Sequence, residues 1–247
     1  MRRFRIHERA PLSVQAVWYN LAFTAGMINA GGFLSCHRFV SHVTGFVTIT
    51  GVELVRHSWT EALGAITIPI FFTLGAMISA WFTEARPGES NPRPMTNALV
   101  IVALIMLSAA VLGNLGAFGR FGITDDILQD YFMLAILSLA CGIQNAVATT
   151  ATGASIRPTH LTGTATDLGI GAVRALIERQ NYESWHKELT TAKRRLFLVL
   201  AFVVGAITGA WIFSKVEYNG FILPFATSTL AVLMSRSVPK TLDASGT

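Results

Sequence analysis

Charged residues are missing from five long stretches of this chain: Pro11 to Cys36, Ala62 to Thr83, Met95 to Gly119, Tyr131 to Ile156 and Leu196 to Ser214. A sixth apolar run, Asn219 to Ser235, is shorter and equally free of charge. A bilayer core of roughly 30 Å is crossed by about 20 apolar residues in a helix. In lipid the backbone N–H and C=O groups must be satisfied within the protein, so such runs predict helices. The pattern predicts an all-α membrane protein with six transmembrane helices, the 247 residues forming a single integral membrane domain.

Polar positions inside and between these runs repeat. His42-Val43-Thr44-Gly45 and His160-Leu161-Thr162-Gly163 lie 118 positions apart. Each follows an apolar run with a related core, Gly26-Met27-Ile28-Asn29-Ala30 and Gly142-Ile143-Gln144-Asn145-Ala146, 116 apart. Gly45, Thr48, Gly51, Val55 and Arg56 match Gly163, Thr166, Gly169, Val173 and Arg174 in the same register of 118. Gly75, Ala76, Ala80 and Trp81 match Gly205, Ala206, Ala210 and Trp211 at 130. The change of offset places about a dozen extra residues between Arg174 and Leu196, a polar stretch that predicts a cytoplasmic or in-plane helix. The chain thus reads as two structural repeats, approximately 12–120 and 128–240, as in transport proteins built from duplicated units.

Gly45 to Arg56 and its counterpart are too short to cross a bilayer, since 12 helical residues reach only about 18 Å. They predict two short half-helices. If these are re-entrant, each half has three crossings and the second half enters from the opposite side, giving inverted topology. If an extended lead-in completes a crossing, each half has four and the halves run parallel. The inverted arrangement is preferred, because short, Gly-interrupted segments at matching places belong to that class.

Composition agrees with the pattern: 52% of residues are hydrophobic and 13% charged, about half the charge of a soluble domain. The net charge of +5 is read as membrane orientation rather than as nucleic-acid binding. With six spans and the N-terminus inside, 15 of the 19 basic residues fall on the inner side, leaving Arg38, Arg56, Arg120 and Lys215 outside. Both termini are therefore placed in the cytoplasm, and Asp125, Asp126 and Asp130 in an outer loop. The basic start Met1–Arg5 precedes too long an apolar run for a cleaved signal and is read as leading into the first helix. Cys36 and Cys141 have no metal-ligand spacing and imply no disulfide framework.

Candidate chemistry sits in the repeated motif. Thr44 and Thr162 are competent N-caps, and Gly45 and Gly163 allow close backbone approach. A helix beginning there directs free N–H groups and a partial positive charge at an anion or carbonyl. Histidine as a residue type can exchange protons near neutral pH, so His42 and His160 are candidates for gating or proton transfer; the alternative is that they lie in wet interfacial loops. Asn29 and Asn145 sit inside apolar runs where an amide needs a partner. Their repetition predicts that they meet across the symmetry axis and orient a solute, or form a structural clasp. The Gly-Ala faces at 75–80 and 205–210 predict close helix packing. Trp18, Trp81 and Trp211 fit an aromatic belt, and Pro69 and Pro224 are candidate kinks. Phosphate-loop, zinc-hydrolase and serine-hydrolase motifs are absent, so no enzyme, cofactor or metal is predicted. The function predicted is a transporter or channel for a small polar or anionic solute, with its site between the two Thr-Gly helix starts. The alternative is a non-transporting membrane scaffold or assembly partner. The predicted partners are the lipid bilayer and a small solute, and the arrangement is compatible with a homo-oligomer.

The runs Gly26–Ala30, Thr44-Gly45, Gly142–Ala146 and Thr162-Gly163, with six apolar spans, resemble the YoaK-like bacterial multipass membrane proteins, a domain of unknown function. The resemblance covers nearly the whole chain. It implies a bacterial inner-membrane location and a transport role without a defined activity. The family pattern often has an acid where this chain has Asn29, and an Asn where it has Phe46.

Overall fold

The structure, a computed structural model, describes residues 11–84, 93–152 and 156–237. The basic start Met1–Arg5, together with Arg9, Arg86 and Lys240 of the charge argument, lies outside the described residues. The described chain is helical, with no strand among its residues: α1 (Leu12–Cys36), α2 (Val43–Val55), α3 (Trp59–Glu84), α4 (Arg93–Asn114), α5 (Ile127–Ala151), α6 (Leu161–Ile177), α7 (Tyr182–Val216) and α8 (Ile222–Ser237). Short 3-10 turns, Glu178–Gln180 and Glu217–Phe221, precede α7 and α8. By length and composition, four stretches suffice to cross a membrane: Trp59–Thr83, Met95–Asn114, Ile127–Ala151 and Tyr182–Arg236, the last taking in α7 and α8. α1 is also long, but Gln15, Asn20 and Asn29 make it more polar, and most of it is buried among other helices.

The two most extensive pairings are α1 with α7 and α3 with α5. The first helix of each half therefore packs on the third helix of the other. Small residues make this approach close enough for backbones to touch. A Cβ on Gly26 would collide with the Phe202 carbonyl, and one on Gly205 with the Phe23 carbonyl. In the other pairing a Cβ on Gly142 would collide with the Phe72 carbonyl, and one on Gly75 with the Leu139 carbonyl. These contacts map onto each other under the repeat offsets of 116 and 130.

The same contacts fix helix directions. Gly64 lies against Tyr131, Ser138 Oγ donates to the Ile68 carbonyl at 3.0 Å, and Gly142 meets Phe72, so α3 and α5 are parallel. Gly26, Gly209 and Gly31 meet Phe202, Met27 and Phe213 in turn, so α1 and α7 are parallel. Gly32 faces Leu137 while Gln144 Nε2 donates to the Leu21 carbonyl, so α1 and α5 are antiparallel. The bundle has a far end, where α1 finishes and α3 and α5 begin, and a near end, where α1 begins.

The extra residues of the second half prolong α6 and the start of α7 rather than forming a separate helix. Trp81 and Trp211 are exposed, whereas Trp18 is buried with Val14, Ala22, Ile156 and Leu198 and belongs to no surface belt. Pro224 falls in the first turn of α8, where its missing N–H breaks no helical bond, so it is not a kink.

Candidate functional site

Each short helix is entered through a backtracking connector. α1 ends at His37, a left-handed residue with φ of 53° whose N–H donates to the Phe33 carbonyl at 2.8 Å. From there the chain runs back along α1. Val40 fills the space beside Gly32, where a Cβ would strike it. Ser41 then reaches Asn29: its N–H and its hydroxyl donate to Asn29 Oδ1 at 3.2 and 3.0 Å. Asn29 lies seven residues before the end of α1, so the connector returns about 10 Å into the bundle. The second half repeats the device. The Thr159 N–H donates to Asn145 Oδ1 at 3.1 Å, and Asn145 Nδ2 donates to Thr159 Oγ1. Ser41 and Thr159 are equivalent at 118.

The residue after each latch begins the helix. His42 and His160 are the N-caps, with φ/ψ of −88°/63° and −92°/60°. Neither caps with its side chain. The expectation that Thr44 and Thr162 would be the N-caps is corrected: both lie in the first turn. The latch to Asn29 or Asn145 fixes the chain just before the histidine, so helical geometry starts earlier. The Thr44 and Thr162 carbonyls accept from Thr48 and Thr166 Oγ1 at 3.0 and 3.1 Å. The two starts differ in one respect. The His42 ring lies over Gly45, whereas a Cβ on Gly163 would meet nothing within 4 Å. His42, Thr44, His160, Thr162 and Gly163 are exposed, and Gly45 is half-buried.

The structure does not bring the two starts together. α2 packs on α3 and α6 on α7, and α2 and α6 make no contact. Asn29 and Asn145 do not meet either. Each amide oxygen is held within its own half, and Asn29 Nδ2 donates to the Ala25 carbonyl at 3.0 Å. In the antiparallel α1–α5 pair Asn145 is level with Leu21, eight residues from Asn29, so the latches lie about 12 Å apart along the helix axis. The residues expected to form a single site therefore fall in two separate groups, one in each half. The helix acids are paired locally: Glu53 with Arg56 at 3.0 Å, and Asp167 of α6 with Arg195 of α7 at 3.0 Å.

Sequence reasoning missed one polar group beside the latch. Gln144 is fully buried, and its Oε1 has no hydrogen-bond partner among the described residues. The available signal was an uncharged amide adjoining Asn145 where the first repeat has Ile28.

No curated protein and no solved structure matches the chain. A family model described as "Protein of unknown function (DUF1275)" matches residues 17–234, a span that takes in both latches, both short helices and all the paired glycines. That match covers most of the chain, in keeping with the resemblance carried by the repeated motifs, and the chain belongs to this family.

Proposed function

We propose that the protein is an inner-membrane transporter or channel for a small polar or anionic solute, with six crossings, two re-entrant half-helices and inverted halves. The observation that carries this reading is the latch. The same Asn-held, broken-helix entry occurs twice, in halves whose first helices run antiparallel. Inverted repeats with interrupted helices are how many transporters expose one site alternately to two sides. Asn29, His42, Thr44 and Gly45 form one station, and Asn145, His160, Thr162 and Gly163 the other. The first-turn N–H groups, without a side-chain cap, are the donors offered to a carboxylate, phosphate or carbonyl. The exposed apolar residues of α2 and α6, including Val55 and Ile177, face lipid. Both termini lie in the cytoplasm on the charge pattern.

One observation favours the scaffold alternative. The Asn29 amide is engaged by the chain itself, so it acts as a clasp before it acts as a ligand. A thermal-shift screen of the detergent-purified protein separates the two readings, using monocarboxylates, inorganic phosphate and small amides. The transport reading expects one solute class to raise the melting temperature by a few degrees and Asn29→Ala and Asn145→Ala each to weaken that shift. A shift that survives both substitutions, or no shift with any class, favours the scaffold.

A further inference from the structure

At the far end of the bundle, three elements meet around one guanidinium. Arg38, in the connector that leads to α2, places Nη2 3.3 Å from Glu61 Oε2 on α3 and Nη1 3.6 Å from Asp130 Oδ2 on α5. Its Cζ also lies 5.1 Å from the centre of the Tyr131 ring. The Tyr131 hydroxyl donates to Glu61 Oε2 at 2.9 Å. Gly64 makes room for that ring, because a Cβ there would collide with it.

The two carboxylates are not equivalent. Glu61 is partly exposed, with 28% of its side chain accessible, and receives hydrogen bonds from Arg38 and Tyr131. The Asp130 side chain is only 5% exposed, and its Oδ2 receives no hydrogen bond among the described residues. One cation facing two carboxylates leaves one negative charge in excess, and it falls on the buried, under-bonded acid. Such a charge is costly unless something neutralises it.

The duplication shows that packing does not demand this arrangement. The repeat equivalents of Arg38, Glu61 and Asp130 are Ile156, Thr191 and Val14. Val14 and Ile156 are both buried in one small apolar cluster at the near end. Where one half uses two aliphatic side chains, the other holds an incompletely matched ion cluster.

We propose that Asp130 is a proton-binding site of this protein, neutralised by a proton it takes up and releases at the far end of the bundle. A metal ion suits the place poorly. The unsatisfied oxygen is the one nearest Arg38, which repels a cation, and hard metal ions require many more oxygen ligands. The other titratable groups within electrostatic reach are His37 and Arg38 from the connector, Cys36 at the end of α1, Glu61 on α3, Asp126 on the same helix and Tyr218 before α8. Asp126 is exposed and caps α5 through a bond to the Leu128 N–H at 2.9 Å. Cys36 and Tyr218 are neutral when protonated, so among the buried groups only Asp130 holds a charge that a proton removes. With Asp130 neutral, Glu61 is the one carboxylate left to Arg38, and the connector's hold on α5 falls back on the Tyr131 ring. Ser41 and the start of α2 lie just beyond Arg38, so the proton sets how firmly that half-site is tethered. The proton site stands without the transport reading, and only this last consequence rests on it.

The test is pH-difference infrared spectroscopy of the full chain in lipid nanodiscs. The expected result is a carboxylic-acid carbonyl band that disappears as pH is raised, is absent in Asp130→Asn and persists in Glu61→Gln. Wild-type protein grown with carboxyl-13C aspartate should shift the same band, a readout that does not depend on the variants folding. The proposal is overturned if no such band titrates, if the band fails to shift with labelled aspartate, if it survives in folded Asp130→Asn, or if sodium at fixed pH removes it.

Discussion

Asn29 shows how one side chain can set the shape of a segment 12 residues away. Its Oδ1 takes both donors of Ser41, and the backbone can then start α2 inside the bundle. Asn29→Ala leaves the N–H and the hydroxyl of half-buried Ser41 without their acceptor. It should lower stability by about 1–3 kcal/mol. Ser41→Ala removes one of the two donors and should cost less. Asn29→Asp keeps an acceptor oxygen and should fall between wild type and Asn29→Ala. Denaturant or thermal unfolding in detergent measures all three. Equal effects for Asn29→Ala and Ser41→Ala would argue against a two-bond latch.

At the scale of elements, close backbone contact holds the two halves together. Gly26→Val drives a side chain into the Phe202 carbonyl, and Gly142→Val into that of Phe72. Each should destabilise by about 1–3 kcal/mol, the usual cost of overpacking. Gly51→Ala and Gly169→Ala, where a Cβ meets nothing within 4 Å, should cost no stability and can gain up to about 1 kcal/mol from helix propensity. Comparable losses at all four positions would contradict the packing described. The helices themselves were legible in the sequence, because absence of charge is a local property that survives any arrangement of neighbours. The small-residue faces at Gly75 and Gly205 were legible for the same reason. Their partners were not: nothing local says that α1 packs on α7 of the other half. The helix starts were legible through Thr-Gly, but the cap is His42 rather than the expected Thr44, because Asn29 and Ser41 are joined only in three dimensions. Asp130 borders a charge-free run and was read as an outer-loop acid. It is in fact buried in the first turn of α5, and its pairing with Arg38 leaves no mark in sequence spacing.

At the scale of the whole molecule, the pairings fit the proposed two-fold relation between halves pointing in opposite directions. α1 on α7 mirrors α5 on α3, α2 on α3 mirrors α6 on α7, and α4 meets α8. Placed in a bilayer, this relation sends the ends of the two short helices to opposite faces. Arg56 and Arg174 are equivalent at 118 and both exposed, so they mark those ends. The decisive measurement labels Arg56→Cys and Arg174→Cys separately with a membrane-impermeant maleimide, in a background without Cys36 and Cys141, from each side of sealed vesicles. Inverted halves predict that Arg56→Cys reacts only from outside and Arg174→Cys only from inside. Reaction of both from the same face would mean parallel halves and would contradict the account.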